Sequence, residues 1–189
     1  MIEFLPRSHY KSKNLKLLIS ASPYNNFIVK KLIAQFKYNP FVKDLASTLA
    51  GLIIHQFEQT EYPPPLLAKS GGGQILIIPI PLTRKRLRQR GFNQAEEIGR
   101  ELSKQLKVPL VNNVLLKTKE TMPQVELSKQ ERIQNVKDVF FCENAEAIKK
   151  KTVLLVDDVF TTGSTMEEAA RVLKESGAKE VWGITVARE

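Results

Sequence analysis

Between Asn25 and Lys37 the apolar residues Phe27, Ile28, Leu32, Ile33 and Phe36 recur at three- and four-residue spacing. That period predicts an amphipathic helix, with Lys30, Lys31 and Lys37 turned toward water. Pro40 suits a first helical turn, and Phe41, Leu45, Leu49, Leu52 and Ile53 fall on one face of a second helix. Two such helices in succession predict a helical hairpin over residues 23–60, packed on the core. Ahead of them, residues 1–22 mix Lys, Ser and Pro without a period and read as an irregular lead-in. Behind them, Pro63-Pro64-Pro65 and Gly71-Gly72-Gly73 mark a linker over 61–73.

From residue 74 the texture changes. Ile75 to Ile80 is continuously apolar and bounded by Gly and Pro, as in a strand buried on both faces of a parallel sheet. A helix follows from about Asn93 to Lys107. Asn93 is its predicted cap, Glu96 sits at the capping-box position, and Ala95, Ile98, Leu102 and Leu106 form its inner stripe. Val114 to Leu116 and Thr152 to Val156 read as strands, Ser164 to Ser176 as a helix stopped by Gly177, and Val181 to Ala187 as a final strand. Strands alternating with helices predict βαβ units, and so an α/β, doubly wound, mostly parallel sheet over 74–189.

With 189 residues and one cysteine, Cys142, the chain is large enough for a core without staples and has no internal disulfide. Cys142, His9 and His55 are too few for a Cys/His zinc site. No apolar run approaches the ~20 residues that span a bilayer. Met1-Ile2-Glu3 does not open a signal peptide, so a cytoplasmic protein is expected. The formal charge of +9 favours polyanionic partners, although a lysine-rich solvated surface would give the same value.

The densest chemistry follows the strand Val153-Leu154-Leu155-Val156. Asp157 and Asp158 stand at its carboxyl end, where open α/β sheets place their ligands. Thr161, Thr162, Gly163, Ser164 and Thr165 then lead into the helix. Gly163 permits a tight turn, the hydroxyls donate, and the helix start offers free N–H groups, a combination suited to a phosphate dianion. The two carboxylates would repel that phosphate, so they make sense about one sugar away, on ribose hydroxyls. A plain capping box of Ser164 with Glu167 is the structural alternative.

The string Val156-Asp157-Asp158-Val159-Phe160-Thr161-Thr162-Gly163-Ser164-Thr165 resembles the phosphoribosyl pyrophosphate (PRPP) motif of the type I phosphoribosyltransferases. Pro79 through Leu82 and Arg88 through Gln94, Gln124 through Arg132, Asn135 to Phe140, and Ile33 through Tyr38 are similar to blocks of that superfamily's ComF/GntX branch. The likeness covers roughly residues 24 to 187. It implies the type I phosphoribosyltransferase fold. It also implies that Asp157 and Asp158 bind ribose and act as the catalytic pair, and that Thr161 to Thr165 hold the 5′-phosphate. Mg²⁺ would bridge ribose and pyrophosphate oxygens, with no direct protein ligand. ComF proteins are associated with DNA uptake and often carry an N-terminal four-cysteine zinc module. No cysteine precedes Cys142, so that module is expected to be missing or reduced to residues 1–22.

Arg84, Lys85, Arg86, Arg88 and Arg90 put five cations into seven residues, next to the turn where the resemblance places a pyrophosphate loop. They suit pyrophosphate or a nucleic-acid backbone, with a solvated surface run as the plain alternative. Lys117 to Val136 fits a loop closing over the site, with Lys119 and Arg132 as late-arriving cations, or else a surface excursion. In purine-salvage relatives a carboxylate acting on the base often stands where Thr161 is, and threonine is no general base at neutral pH. Two functions remain open at this level. One is a PRPP-dependent transferase. The other is a factor that binds single-stranded DNA, with the PRPP site as sensor or relic; Phe92 is the one aromatic amid the arginines that could stack a base.

Overall fold

The computed structural model describes residues 12–38, 42–59, 75–119 and 136–189. Four parallel strands make the central sheet: β1 (Leu17–Pro23), β2 (Ile75–Pro79), β5 (Thr152–Phe160) and β6 (Glu180–Arg188), in the order β1-β6-β5-β2. Leu110 extends the sheet beyond β2 through a parallel bridge to Ile77. A smaller antiparallel pair joins β3 (Leu115–Lys117) to β4 (Phe140–Cys142).

Helices cover both faces, as the apolar strands require. α1 (Phe27–Lys37), α2 (Leu45–Glu58) and α4 (Gln94–Leu106) bury Ile33, Phe36, Leu49, Ile53, Ile98 and Leu102 against one face. α5 (Ser164–Glu175) packs Met166, Ala169, Ala170 and Leu173 on the other, beside the β3–β4 pair. The short α3 (Arg84–Arg90) buries nothing and lies between β2 and α4 in the chain. This is an α/β, doubly wound parallel sheet, as the alternation of strands and helices predicts.

The lead-in expected to be irregular contains β1. Ser20 and Ser22 interrupt its apolar run, which hides the strand from a periodicity reading, and both are buried. Ser20 meets Thr185 of β6 hydroxyl to hydroxyl at 2.7 Å, so the edge position satisfies it. The second helix begins at Leu45 rather than Pro40. The linker over 61–73 lies outside the described residues, as do Pro40 and Phe41.

Close packing explains Gly183 of β6. A Cβ there would stand 2.5 Å from Met166 Sδ and 3.0 Å from Leu18 Cδ1. α5, which begins at the turn over residues 161–164, therefore presses directly on the sheet.

Candidate functional site

An open cleft of about 330 Å³ lies at the carboxyl ends of β2 and β5. Its floor is the end of β5. Val153 and Leu155 pack on one face of the sheet and Leu154 and Val156 on the other, but Val159 and Phe160 fall on the faces opposite to those that strict alternation assigns. The period slips once at the aspartates, and both Asp157 and Asp158 line the cleft. The strand also runs on to Phe160, four residues past the end read from hydrophobicity alone.

Gly163 takes φ 80°, a left-handed conformation open to glycine, and no side chain caps the helix that starts at Ser164. The Ser164–Glu167 capping box weighed as the plain alternative does not form: Thr162 Oγ1 and Ser164 Oγ lie 3.0 Å apart, and Glu167 Oε2 accepts from Asn14 Nδ2 at 3.2 Å. The positive end of a twelve-residue helix thus lies at this edge of the cleft without a side-chain cap. Thr161, Gly163, Ser164 and Thr165 line the cleft there, whereas Thr162 does not.

The arginine segment is a helix and not a loop. Thr83 caps it, accepting Arg86 N–H at 3.4 Å, and Gly91 ends it. Four-residue spacing puts Arg86 and Arg90 on one side, half-buried and lining the cleft; Arg84, Lys85 and Arg88 are exposed. Arg90 Nη1 donates to Gln94 Oε1 at 3.0 Å, which fixes its direction. Phe92 is half-buried and packs against Phe36 of the core with ring centroids 5.4 Å apart.

Lys37 differs most from expectation. Its place in the helical period turned it to water, yet its Nζ sits 2.8 Å from Asp158 Oδ1, with side chains only 19% and 9% exposed. Burial opposes the Lys37 charge, but the attraction of Asp158 outweighs it and holds the ammonium above its ordinary range. Asp157 Oδ1 accepts the Asp158 backbone N–H at 2.9 Å. Burial first, and then the Asp158 charge, push Asp157 up to about 7. Lys117 of β3 and Tyr24 and Tyr38 complete the rim. Lys119 is exposed and is not among the lining residues; Arg132 lies outside the described residues.

Residues 90–189 match the family model described as "Phosphoribosyl transferase domain". Competence protein F of Haemophilus influenzae is 40% identical over 114 residues, which is 59% of this chain and 50% of that protein. Competence protein ComFC of Bacillus subtilis is 28% identical over 179 residues, 89% of this chain and 63% of that one. This chain belongs to the ComF family of phosphoribosyltransferase-domain proteins. A further ComF-like relative, DNA utilization protein YhgH of Salmonella typhi, is 30% identical over 170 residues, 87% of this chain and 70% of that protein. The chain spans about half the length of several of the curated relatives it matches. Among the described residues no helix is long and apolar enough to cross a membrane.

Of the ComF-type blocks, Ile33 through Tyr38 is the one that carried a signal for Lys37 and Tyr38. Helical periodicity read the same lysine as solvated, because a period reports which way a residue faces and not what stands opposite it.

Proposed function

We propose that this ComF-family protein binds PRPP or a related nucleotide phosphate together with Mg²⁺, and transfers the phosphoribosyl group with release of pyrophosphate. The observation that carries this reading is the uncapped start of α5 in the same cleft as Asp157 and Asp158. The 5′-phosphate would take the N–H groups from Gly163 to Thr165 and the nearby hydroxyls. The acidic pair would accept hydrogen bonds from the ribose hydroxyls. Arg86 and Arg90 would face the pyrophosphate and take up charge as the anomeric carbon–oxygen bond breaks. Lys119 and Arg132 are proposed to approach from the loop that follows β3.

No group of three or more His, Cys, Asp or Glu converges among the described residues. Asp158 is moreover committed to Lys37. That donor set fits a Mg²⁺ held by ligand oxygens and water rather than by a protein cage; when bound, the ion would neutralise pyrophosphate charge. The position of Thr161 offers no carboxylate to deprotonate a purine, which favours an acceptor that needs no such base.

Titration with PRPP and Mg²⁺, followed by pyrophosphate release measured across bases and ammonia, tests the reading. Saturable binding with PRPP-dependent release is expected. A protein that leaves PRPP unbound at millimolar concentration lacks this function.

A second reading has its own observation. Arg84, Lys85 and Arg88 are exposed and do not line the cleft, and the relatives are named for competence and DNA utilization. This reading makes the protein a cytoplasmic factor in DNA uptake whose outer α3 face contacts single-stranded DNA, with the PRPP site as sensor or relic.

A further inference from the structure

Lys37 ends α1, and among the described residues its Nζ pairs with Asp158 of β5, at 2.8 Å. A buried ion pair persists where good geometry offsets the cost of desolvating two charges, and removing one partner leaves the other stranded. Here the pair ties a helix tip to the last residues of a strand, and both side chains line the cleft. The two adjacent carboxylates are therefore held in different ways. Asp158 is gripped by a side-chain cation, and Asp157 by the backbone N–H of its neighbour.

We infer that Lys37 is a positioning residue for the acidic pair: it fixes Asp158 in place and leaves Asp157 as the carboxylate that meets the ligand's ribose hydroxyls. The inference rests on the phosphoribosyl reading of the cleft and assigns unequal roles to two residues that sequence treats alike.

The charges that face the pair come from four elements: Lys37 of α1, Arg90 of α3, Lys117 of β3, and the aspartates themselves on β5. Arg90 opposes the Lys37 charge, while Lys37 and Lys117 both favour an ionised Asp157. Without the Lys37 cation, burial and the Asp158 charge act on Asp157 with less opposition, and its titration moves to higher pH. Ribose hydroxyls donate to a carboxylate and gain little from a carboxylic acid, so PRPP binding near neutral pH weakens.

The test is a cycle of Lys37→Met, Asp158→Asn and the double variant, with Lys37→Arg as the conservative control. PRPP with Mg²⁺ is titrated calorimetrically from pH 6 to 9, and inorganic phosphate reports the α5 loop and an intact fold. Lys37→Met is expected to weaken PRPP about five-fold at pH 7 and close to ten-fold at about pH 6, as a shift of about one pH unit in the profile requires. Lys37→Arg keeps most of the affinity, and phosphate binding is unchanged. Adding Lys37→Met to Asp158→Asn costs less than Lys37→Met costs in the wild type, because the part that Lys37 exerts through Asp158 is already gone. Losses that simply add would mean that Lys37 does not act through Asp158, and would overturn the positioning role; so would wild-type affinity in Lys37→Met. The double variant has no stranded charge, which keeps the cycle readable if Lys37→Met alone folds poorly. A wild-type protein that binds no PRPP overturns the phosphoribosyl reading instead. The clamp is then decided in the ligand-free protein by carboxylate NMR: the Asp157 midpoint rises in Lys37→Met if the inference holds, and stays put if it fails.

Discussion

Asp157 is held in a state that suits a ligand better than it suits the empty fold. Its carboxyl is pushed from 3.8 up to about 7 by burial and by Asp158, while in the unfolded chain it titrates as an ordinary aspartate. The folded state therefore holds this proton more tightly, and the group's contribution to stability falls as pH rises from about 4 to 7. On the proposed function, PRPP binding is expected to have the opposite sign and to strengthen as pH rises through about 7, where the carboxylate forms. Asp157→Asn is thus expected to stabilise the ligand-free protein at pH 8, on the order of 2 kcal/mol, and far less at pH 5. The same variant loses at least ten-fold in PRPP affinity. Thermal melts at the two pH values and a PRPP titration check both halves, and a variant that melts lower than wild type at pH 8 contradicts the first.

At the scale of elements, α3 divides the arginine segment by helical spacing. Arg86→Ala with Arg90→Ala is expected to cost at least ten-fold in PRPP affinity. Arg84→Ala, Lys85→Ala and Arg88→Ala together leave PRPP affinity near wild type. If single-stranded DNA binds this face, that triple variant flattens the log–log salt slope by up to about two units, near 0.7 per lost phosphate contact. Binding at several salt concentrations separates the two sets, and an unchanged slope in the triple variant removes DNA from this face. At α5, Gly163→Ala places a Cβ on a backbone at φ 80°. A loss of about 1 kcal/mol in stability, read from urea unfolding, and weaker inorganic phosphate binding are expected.

Across the molecule, α1 and α2 share one apolar cluster with β2, β5, β6 and α4. They complete the sheet's second face, and β1 pairs with β6 along six residue pairs. A fragment starting at residue 75 would expose that face, and we expect it to aggregate at concentrations where the full chain does not, as size-exclusion chromatography would show. Within the full chain, Ile33→Ala empties a position only 1% exposed and should cost about 2–4 kcal/mol in urea unfolding. Because α1 also carries Lys37, the same variant is expected to weaken PRPP binding. Folding and the cleft are coupled through one helix.

Local patterns were enough for much of this protein. Apolar runs marked β2 and β5 as doubly covered strands, since a strand buried on both faces leaves no polar side to its period. Asn93 announced α4, and its side chain does accept the Ala95 N–H. The Asp-Asp and Thr-Gly-Ser residues were legible because their chemistry is contiguous in the chain. The rest depended on parts distant in sequence. β1 was hidden by Ser20 and Ser22, whose burial is tolerable only beside β6. Arg86 and Arg90 became distinct from their neighbours once the segment was a helix with one side against a cleft. Lys37 and Asp158 lie 121 positions apart in the numbering, and no periodicity relates them. Sequence assigns a residue its face; only the packed fold brings a counter-charge to within 2.8 Å of it and excludes the water that would otherwise screen the pair.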